Sequence, residues 1–163
     1  MALPERIKEY LRSNGIDFRH HVHPEECIAS RVAELVPSNG GSYAKTVIAR
    51  AIGSLVMAVI PARERLDLRQ LSDLSAESNV RLATEREISR AFPDCAVGAA
   101  PALGSLYGLS VWLDRSFEDR RTIAFDGGTY VDSIEMKTSD FHRLVSPRIA
   151  WLTETHGFGS RRF

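Results

Sequence analysis

The stretch from Ser42 to Ile60 limits the fold more than any other part of this chain. Two β-rich runs, SYAKTVIARAI and LVMAVI, meet at Gly53-Ser54. That spacing predicts a hairpin with a two-residue turn in the middle of a sheet. The second run is apolar at every position, so it has no polar face to offer water. Other elements must cover both of its sides.

The flanking segments supply that cover. Pro4 is placed as a first helical residue, Ile7, Tyr10 and Leu11 share one face, and Gly15 ends the segment. Residues 16–23, IDFRHHVH, read as a strand. Pro24-Glu25-Glu26 then open a helix carrying Ile28, Val32 and Leu35 at helical spacing, closed by the Ser-Asn-Gly-Gly stretch 38–41. Leu68, Leu71 and Leu74 mark a short helix, and Thr84 with Glu87 forms a Thr-x-x-Glu cap ahead of Ile88 and Phe92. LSVWLD, TIAFD and TYVDSIEM read as further strands, the last two joined through Gly127-Gly128, and Ser139 caps a closing helix with Phe141, Leu144 and Val145. The segment 157–163, GFGSRRF, has no periodicity and reads as a loose tail. With no repeat or linker, residues 1–163 form one mixed α/β domain of five to seven strands with helices around them.

The 163 residues contain 21 basic and 21 acidic side chains, so a generic nucleic-acid coat is excluded and any nucleic acid must be gripped locally. Cys27 and Cys95 form neither a disulfide framework nor a zinc motif, which fits a reducing cytoplasmic setting. No run approaches eighteen apolar residues, so neither a membrane nor a membrane partner is expected.

Lysine is scarce: Lys8, Lys45 and Lys137 are the only three. Lys45 lies inside the first run of the hairpin, and period-two alternation puts it on one face with Tyr43, Val47 and Ala49. A lysine on an apolar strand face costs several kcal/mol of desolvation unless it is paired, so it sits at a strand end, snorkels, or belongs to a site. The loop Gly98-Ala99-Ala100-Pro101, followed by Gly104, combines small side chains with a fixed proline φ. It is either a tight connector or a stiff loop whose backbone another molecule can approach.

Taken in order, these pieces resemble the YbaK/prolyl-tRNA-synthetase-associated family. They are the A-K-T-V strand, V-M-A-V-I-P, R-L-A-T-E-x-E, C-x-V-G-A-x-P-x-L-G, V-W-L-D and I-E-M-x-x-x-D-F-x-R-L, spread over roughly residues 15–148. The resemblance implies a mixed, partly closed β-barrel of about six to seven strands surrounded by helices. It implies a cytoplasmic, trans-acting deacylase that hydrolyses the ester of mischarged tRNA carrying a small amino acid, without metal or other cofactor. It places the catalytic lysine at Lys45 and substrate contacts at Tyr43, Gly98, Ala99, Ala100, Pro101, Gly104, Tyr130 and Asp132. The implied partners are the 3′-terminal acceptor end of aminoacyl-tRNA and an aminoacyl-tRNA synthetase, with no DNA, and a monomer is the expected state. Some relatives have a histidine where this chain has Tyr130, whose phenol can still donate a hydrogen bond. An aminoacyl ester is already activated, so positioning and charge stabilisation suffice without a covalent nucleophile. Asp126 or Asp132 could receive the substrate amine, although Asp126 before Gly127-Gly128 also fits a turn residue bonding its own backbone.

Other readings compete. His20, His21 and His23 invite a metal, but no further ligand follows at a recognisable spacing. Cys95 and Ser105 lack the partners of a nucleophile. A non-catalytic module binding aminoacyl-adenosine, the tRNA acceptor or a synthetase is the alternative function, and a piece that works beside a signalling domain is a third. Alanine, serine, threonine, cysteine and proline all remain candidate substrates. Arg161 and Arg162 read as a solvated tail rather than phosphate ligands.

Overall fold

The computed structural model describes residues 3–36 and 42–156. The Ser-Asn-Gly-Gly stretch at 38–41, Arg161, Arg162 and the 157–163 tail lie outside the described residues.

The expected helices and strands are present, with some boundaries moved. Helix α1 is Glu5–Ser13, with Pro4 just outside it as the N-cap residue and Ile7 and Leu11 buried. Strand β1 is Phe18–Val22. Helix α2 is Ala29–Leu35, starting later than Pro24 because Ile28 is its extended N-cap; Val32 alone is fully buried, while Ile28 and Leu35 are exposed. Strands β2 (Ser42–Ala51) and β3 (Ser54–Pro61) pair in register from Ala44↔Pro61 to Ala51↔Ser54, so the turn is Ile52-Gly53, one residue earlier than predicted, with Gly53 at φ +76°. That φ is the reason glycine occupies the turn.

Helix α3 (Leu68–Ser75) is capped by Asp67, and α4 (Glu85–Ala91) carries the predicted reciprocal Thr84–Glu87 cap. Two short strands escaped the sequence pattern, β4 at Arg81–Leu82 and β8 at Arg148–Ala150. Strands β5 (Ser110–Asp114), β6 (Thr122–Asp126) and β7 (Asp132–Lys137) fall where expected. Helix α5 is Thr138–Val145; Lys137 is its N-cap residue, so Ser139 lies inside the first turn and does not cap it.

The eight strands form one mixed sheet in the order β1-β7-β6-β2-β3-β5-β8, with β4 added to β2. The mixed α/β class therefore holds, with eight strands rather than six or seven. Among the described residues no pairing joins β1 to β8, so the sheet keeps two ends. The main apolar core lies between one face of this sheet and helices α1, α4 and α5, around Phe92, Phe117, Phe125 and Phe141. Smaller clusters on the opposite side gather around Leu71 and Trp112, and around Val32 and Tyr43. No helix among the described residues is long and apolar enough to cross a membrane.

The feature that positions the site is a gap beside β2. On one edge β2 is paired continuously with β3. On the other it is parallel to β6 at Ser42 and Tyr43 and antiparallel to β4 at Ala49 and Arg50. Ile48 O accepts from Ala83 N–H on this second edge, so the even-numbered residues of β2 aim their backbone groups there. Between the two short pairings no strand covers Ala44–Val47 on that edge, among the described residues. Lys45 lies in that interval.

Candidate functional site

The 96–101 loop is tied to β2 at the gap. Thr46 donates its hydroxyl to Ala100 O at 2.8 Å, Gly128 N–H donates to Ala99 O at 2.9 Å, and Tyr130 donates its phenol to Val97 O at 2.6 Å. Ala99 N–H turns back to Ala96 O at 3.0 Å, and Gly98 takes φ +83°, the geometry of a type II turn with its glycine third. Every one of these bonds uses a loop carbonyl. The N–H groups of Val97, Gly98 and Ala100 have no acceptor among the described residues, so the loop presents unspent donors on a backbone fixed by its oxygens. The Ala99, Ala100 and Pro101 side chains are buried, whereas Gly98 is exposed.

Lys45 is half-buried and has no carboxylate within 4.0 Å among the described residues. Burial lowers its pKa, and the nearby Arg65 cation lowers it further. No hydrogen bond joins the loop to the Lys45 side chain among the described residues. The loop's link to β2 runs through Thr46, the neighbour on the opposite face.

Tyr43, on the Lys45 face, belongs to a buried polar chain. Its hydroxyl lies 2.7 Å from Asp126 Oδ1 and 2.7 Å from Ser133 Oγ, Ser133 Oγ lies 3.0 Å from His23 Nε2, and His23 Nδ1 lies 2.8 Å from Pro24 O. Pro24 O can only accept, so Nδ1 carries a proton. With Asp126 ionised, Tyr43 donates to its carboxylate; with Asp126 protonated, the carboxyl can donate to Tyr43 and Tyr43 to Ser133, so the hydroxyl hydrogens of the chain turn with the state of Asp126. Burial lifts the Asp126 carboxyl to about 6, with Tyr43 and His23 pulling it down, and burial also raises the Tyr43 phenol far above its ordinary value. Asp126 is thus held across space by Tyr43 instead of bonding its own backbone as a turn residue. Its second oxygen has no partner among the described residues.

The remaining predicted residues divide. Asp132 is fully buried, with Oδ1 2.5 Å from His20 Nε2 and Oδ2 accepting from Thr129, so an external amine would have to displace internal partners. Gly104 has a packing reason to be glycine: an added Cβ would lie 2.4 Å from Val111 Cγ2. The three histidines pair separately, His20 with Asp132, His21 with Glu135 at 3.2 Å, and His23 with Ser133, and no metal-holding group of His, Cys, Asp and Glu occurs among the described residues. The Cys95 thiol is pushed up to about 11 by burial, and Ser105 bonds the Tyr10 hydroxyl. A raised thiol pKa opposes thiolate chemistry. Sequence reading missed His23 and Ser133 as members of the site. The only signal was their strand register, which needs the β1–β7 pairing to be known.

Comparison with known proteins gives a consistent result. The profile of the aminoacyl-tRNA editing domain matches residues 23–144. The multifunctional Ser/Thr-tRNA deacylase ProXp-y of Escherichia coli is 27% identical over 150 residues, covering 89% of each chain. A solved structure described as a proposed trans-editing enzyme for prolyl tRNA synthetase superposes with a TM-score of 0.81 at 21% identity, covering 93% of this chain and 96% of that one. A protein assigned to signal transduction from Marinobacter aquaeolei matches with a TM-score of 0.72 at 19% identity, covering 93% of this chain but 31% of its own length. At such identities the solved structures establish the fold.

Proposed function

This chain belongs to the aminoacyl-tRNA editing domain family, and from that membership we propose that it hydrolyses the ester between a small amino acid and the 3′-terminal ribose of tRNA. The observation that carries the reading is the 96–101 loop, fastened largely through its carbonyls with the N–H groups of Val97, Gly98 and Ala100 left without acceptors among the described residues, and tied through Thr46 to the strand that carries the unpaired Lys45. Ester hydrolysis develops negative charge on the carbonyl oxygen, and fixed donors in a partly dry site stabilise that charge without reorganising. In this reading Lys45 supplies the cation, for the developing oxyanion or for the terminal nucleotide. The Gly98–Ala100 backbone orients the aminoacyl group, and the unpartnered oxygen of Asp126 receives its ammonium. Water is the nucleophile, and the leaving ribose oxygen takes a proton as the ester breaks. Tyr43, Tyr130 and Asp132 hydrogen-bond within the protein and Gly104 packs against Val111, and their roles as substrate contacts remain part of this proposal.

The E. coli relative is named for Ser/Thr-tRNA, so seryl- and threonyl-tRNA head the substrate panel, followed by alanyl-, cysteinyl- and prolyl-tRNA. The acceptor end is the proposed partner, with action as a monomer in the cytoplasm, alone or beside a synthetase. The test is deacylation of mismatched members of this panel by the wild type, Lys45→Ala and Lys45→Arg. Loss of a positioned charge predicts a fall of about 10²–10³-fold for Lys45→Ala. Equal rates for the wild type and Lys45→Ala would remove Lys45 from the mechanism; no turnover of any substrate by folded wild type would leave the binding-module reading.

A further inference from the structure

A second concavity, of about 780 Å³, opens where β1, β6 and β7 meet the start of α5. Arg19, Arg120, Arg121, Lys137 and His142 line it, with Glu118 as the one acidic side chain in its wall. In a chain with 21 basic and 21 acidic residues, this is a local excess of positive charge. It is also largely uncommitted. Glu118 is paired with Arg115 at 3.3 Å, Arg120 meets only Asp119 at 3.9 Å, and Arg19, Arg121 and Lys137 have no ion pair among the described residues. Nearby Asp140 is turned to Arg143 at 3.2 Å, and Glu135 to His21 and Thr122.

The backbone adds donors to these cations. Helix α5 begins in this wall at Thr138 without a side-chain cap; Thr138 N–H is taken by Arg121 O at 3.0 Å, and the amides that follow it in the first turn lie at the positive end of the helix dipole. Thr138 lines the same concavity, and its hydroxyl is the one fully buried side-chain polar atom without a partner among the described residues. Arg120 also lines a neighbouring pocket with Ser42, Tyr43, Pro61 and Ala62, and Ser42 and Tyr43 are the β2 residues that precede the gap.

We propose that this basic concavity seats backbone phosphates of the RNA whose 3′ end enters the β2 gap. The inference rests on the deacylase reading for which end of the RNA is presented, but phosphate capture itself does not depend on catalysis. Unpaired arginines and lysines around a concave wall bind phosphate through charge-assisted hydrogen bonds, and each neutralised phosphate releases counterions. The positions of these cations, and not the net charge of the chain, supply the grip.

The experiment measures binding of uncharged tRNA by fluorescence anisotropy over a series of potassium chloride concentrations. The proteins are wild type, Arg121→Ala, Lys137→Ala and the double variant. Hydrolysis of a 3′-aminoacyl-adenosine, which has no stem phosphates, is measured in parallel. These side chains are exposed and outside the core, so folding should persist, and circular dichroism checks it. The expected result is severalfold weaker tRNA binding per variant and a salt slope reduced by about 0.7–0.9 for each cation removed, with aminoacyl-adenosine hydrolysis unchanged. If wild type binds tRNA with the same salt slope as the double variant, or binds none while still cleaving aminoacyl-adenosine, the phosphate proposal falls and the deacylase reading stands. If wild type cleaves no ester yet shows the slope change, the phosphate proposal holds and the deacylase reading fails. Saturation by inorganic phosphate without competition against tRNA would assign the pocket to a small anion and overturn the RNA.

Discussion

Replacing Tyr43 by Phe removes one hydroxyl from the chain joining Asp126, Ser133 and His23, and its effect should depend on pH in a way simple packing damage would not. Asp126 has its carboxyl raised from 3.8 to about 6 by burial. A carboxyl that binds its proton more tightly when folded favours the folded state at low pH, and this benefit is lost as pH rises from about 4 through 6. The full difference corresponds to at most about 3 kcal/mol, less because the side chain is not wholly excluded from water. The Tyr43 hydroxyl opposes this effect by donating to the carboxylate. Hydrogen bonds to charged groups contribute about 1.5–3 kcal/mol and those between neutral groups about 1 kcal/mol. Tyr43→Phe should therefore cost about 1 kcal/mol at pH 4 and about 2–3 kcal/mol at pH 8, with the Asp126 titration moving upward by about one to two pH units. Urea unfolding from pH 4 to 8, followed by the fluorescence of Trp112 and Trp151, reads the difference directly, since titrations elsewhere cancel between the proteins. Asp126→Asn supplies the control and should abolish the extra pH dependence of the Tyr43 substitution. A Tyr43→Phe penalty equal at both ends of the range would refute the coupled chain.

Three further outcomes follow from other parts of the structure. Gly104→Ala should destabilise the fold by about 1–3 kcal/mol, because its methyl group would meet Val111 Cγ2 at 2.4 Å inside packed core; an unchanged urea midpoint would show that the turn at Gly104 and strand β5 can separate freely. Thr84→Ala should lose about 1 kcal/mol through the α4 cap, measured in the same way. If Lys45 acts as a cation, deacylation should be retained below its lowered pKa and decline as the group deprotonates; profiles for wild type and Lys45→Arg should then part at high pH, where the arginine remains charged, and coincident profiles would count against the assignment.

The readable part of the fold was the part governed by local periodicity. The β2–β3 hairpin, the α4 cap and the three strands β5, β6 and β7 could be placed because short apolar runs between turn residues, and a capping pair, leave local patterns. Strands β4 and β8 span two and three residues, too short to establish a period, and exist because β2 and β5 offer them edges. Helix α2 started late because Ile28 takes an extended N-cap conformation despite the Pro-Glu-Glu start signal. At the site, Lys45 was conspicuous as a charge within an apolar strand, and the Gly98–Pro101 loop by its small residues. The Tyr43–Asp126–Ser133–His23 chain was hidden, since Tyr43 and Ser133 are separated by 90 residues and meet only after β2, β6 and β7 assemble. The separation of Asp126 from Asp132 also required β7 register, because two nearby aspartates differ entirely in which side chains they face.

The way the 96–101 loop is fastened has a consequence for how this protein can change. Its anchors are backbone groups, the carbonyl oxygens held by Thr46, Gly128 and Tyr130 and the Ala96 N–H given to Gly128 O, and none of them depends on a loop side chain. The fastening therefore survives replacement of Val97, whose side chain is exposed, while a changed side chain there alters what the approaching molecule meets. The loop is a mounting with an exchangeable face: selectivity can drift by substitution within it while the sheet that carries Lys45 stays as it is.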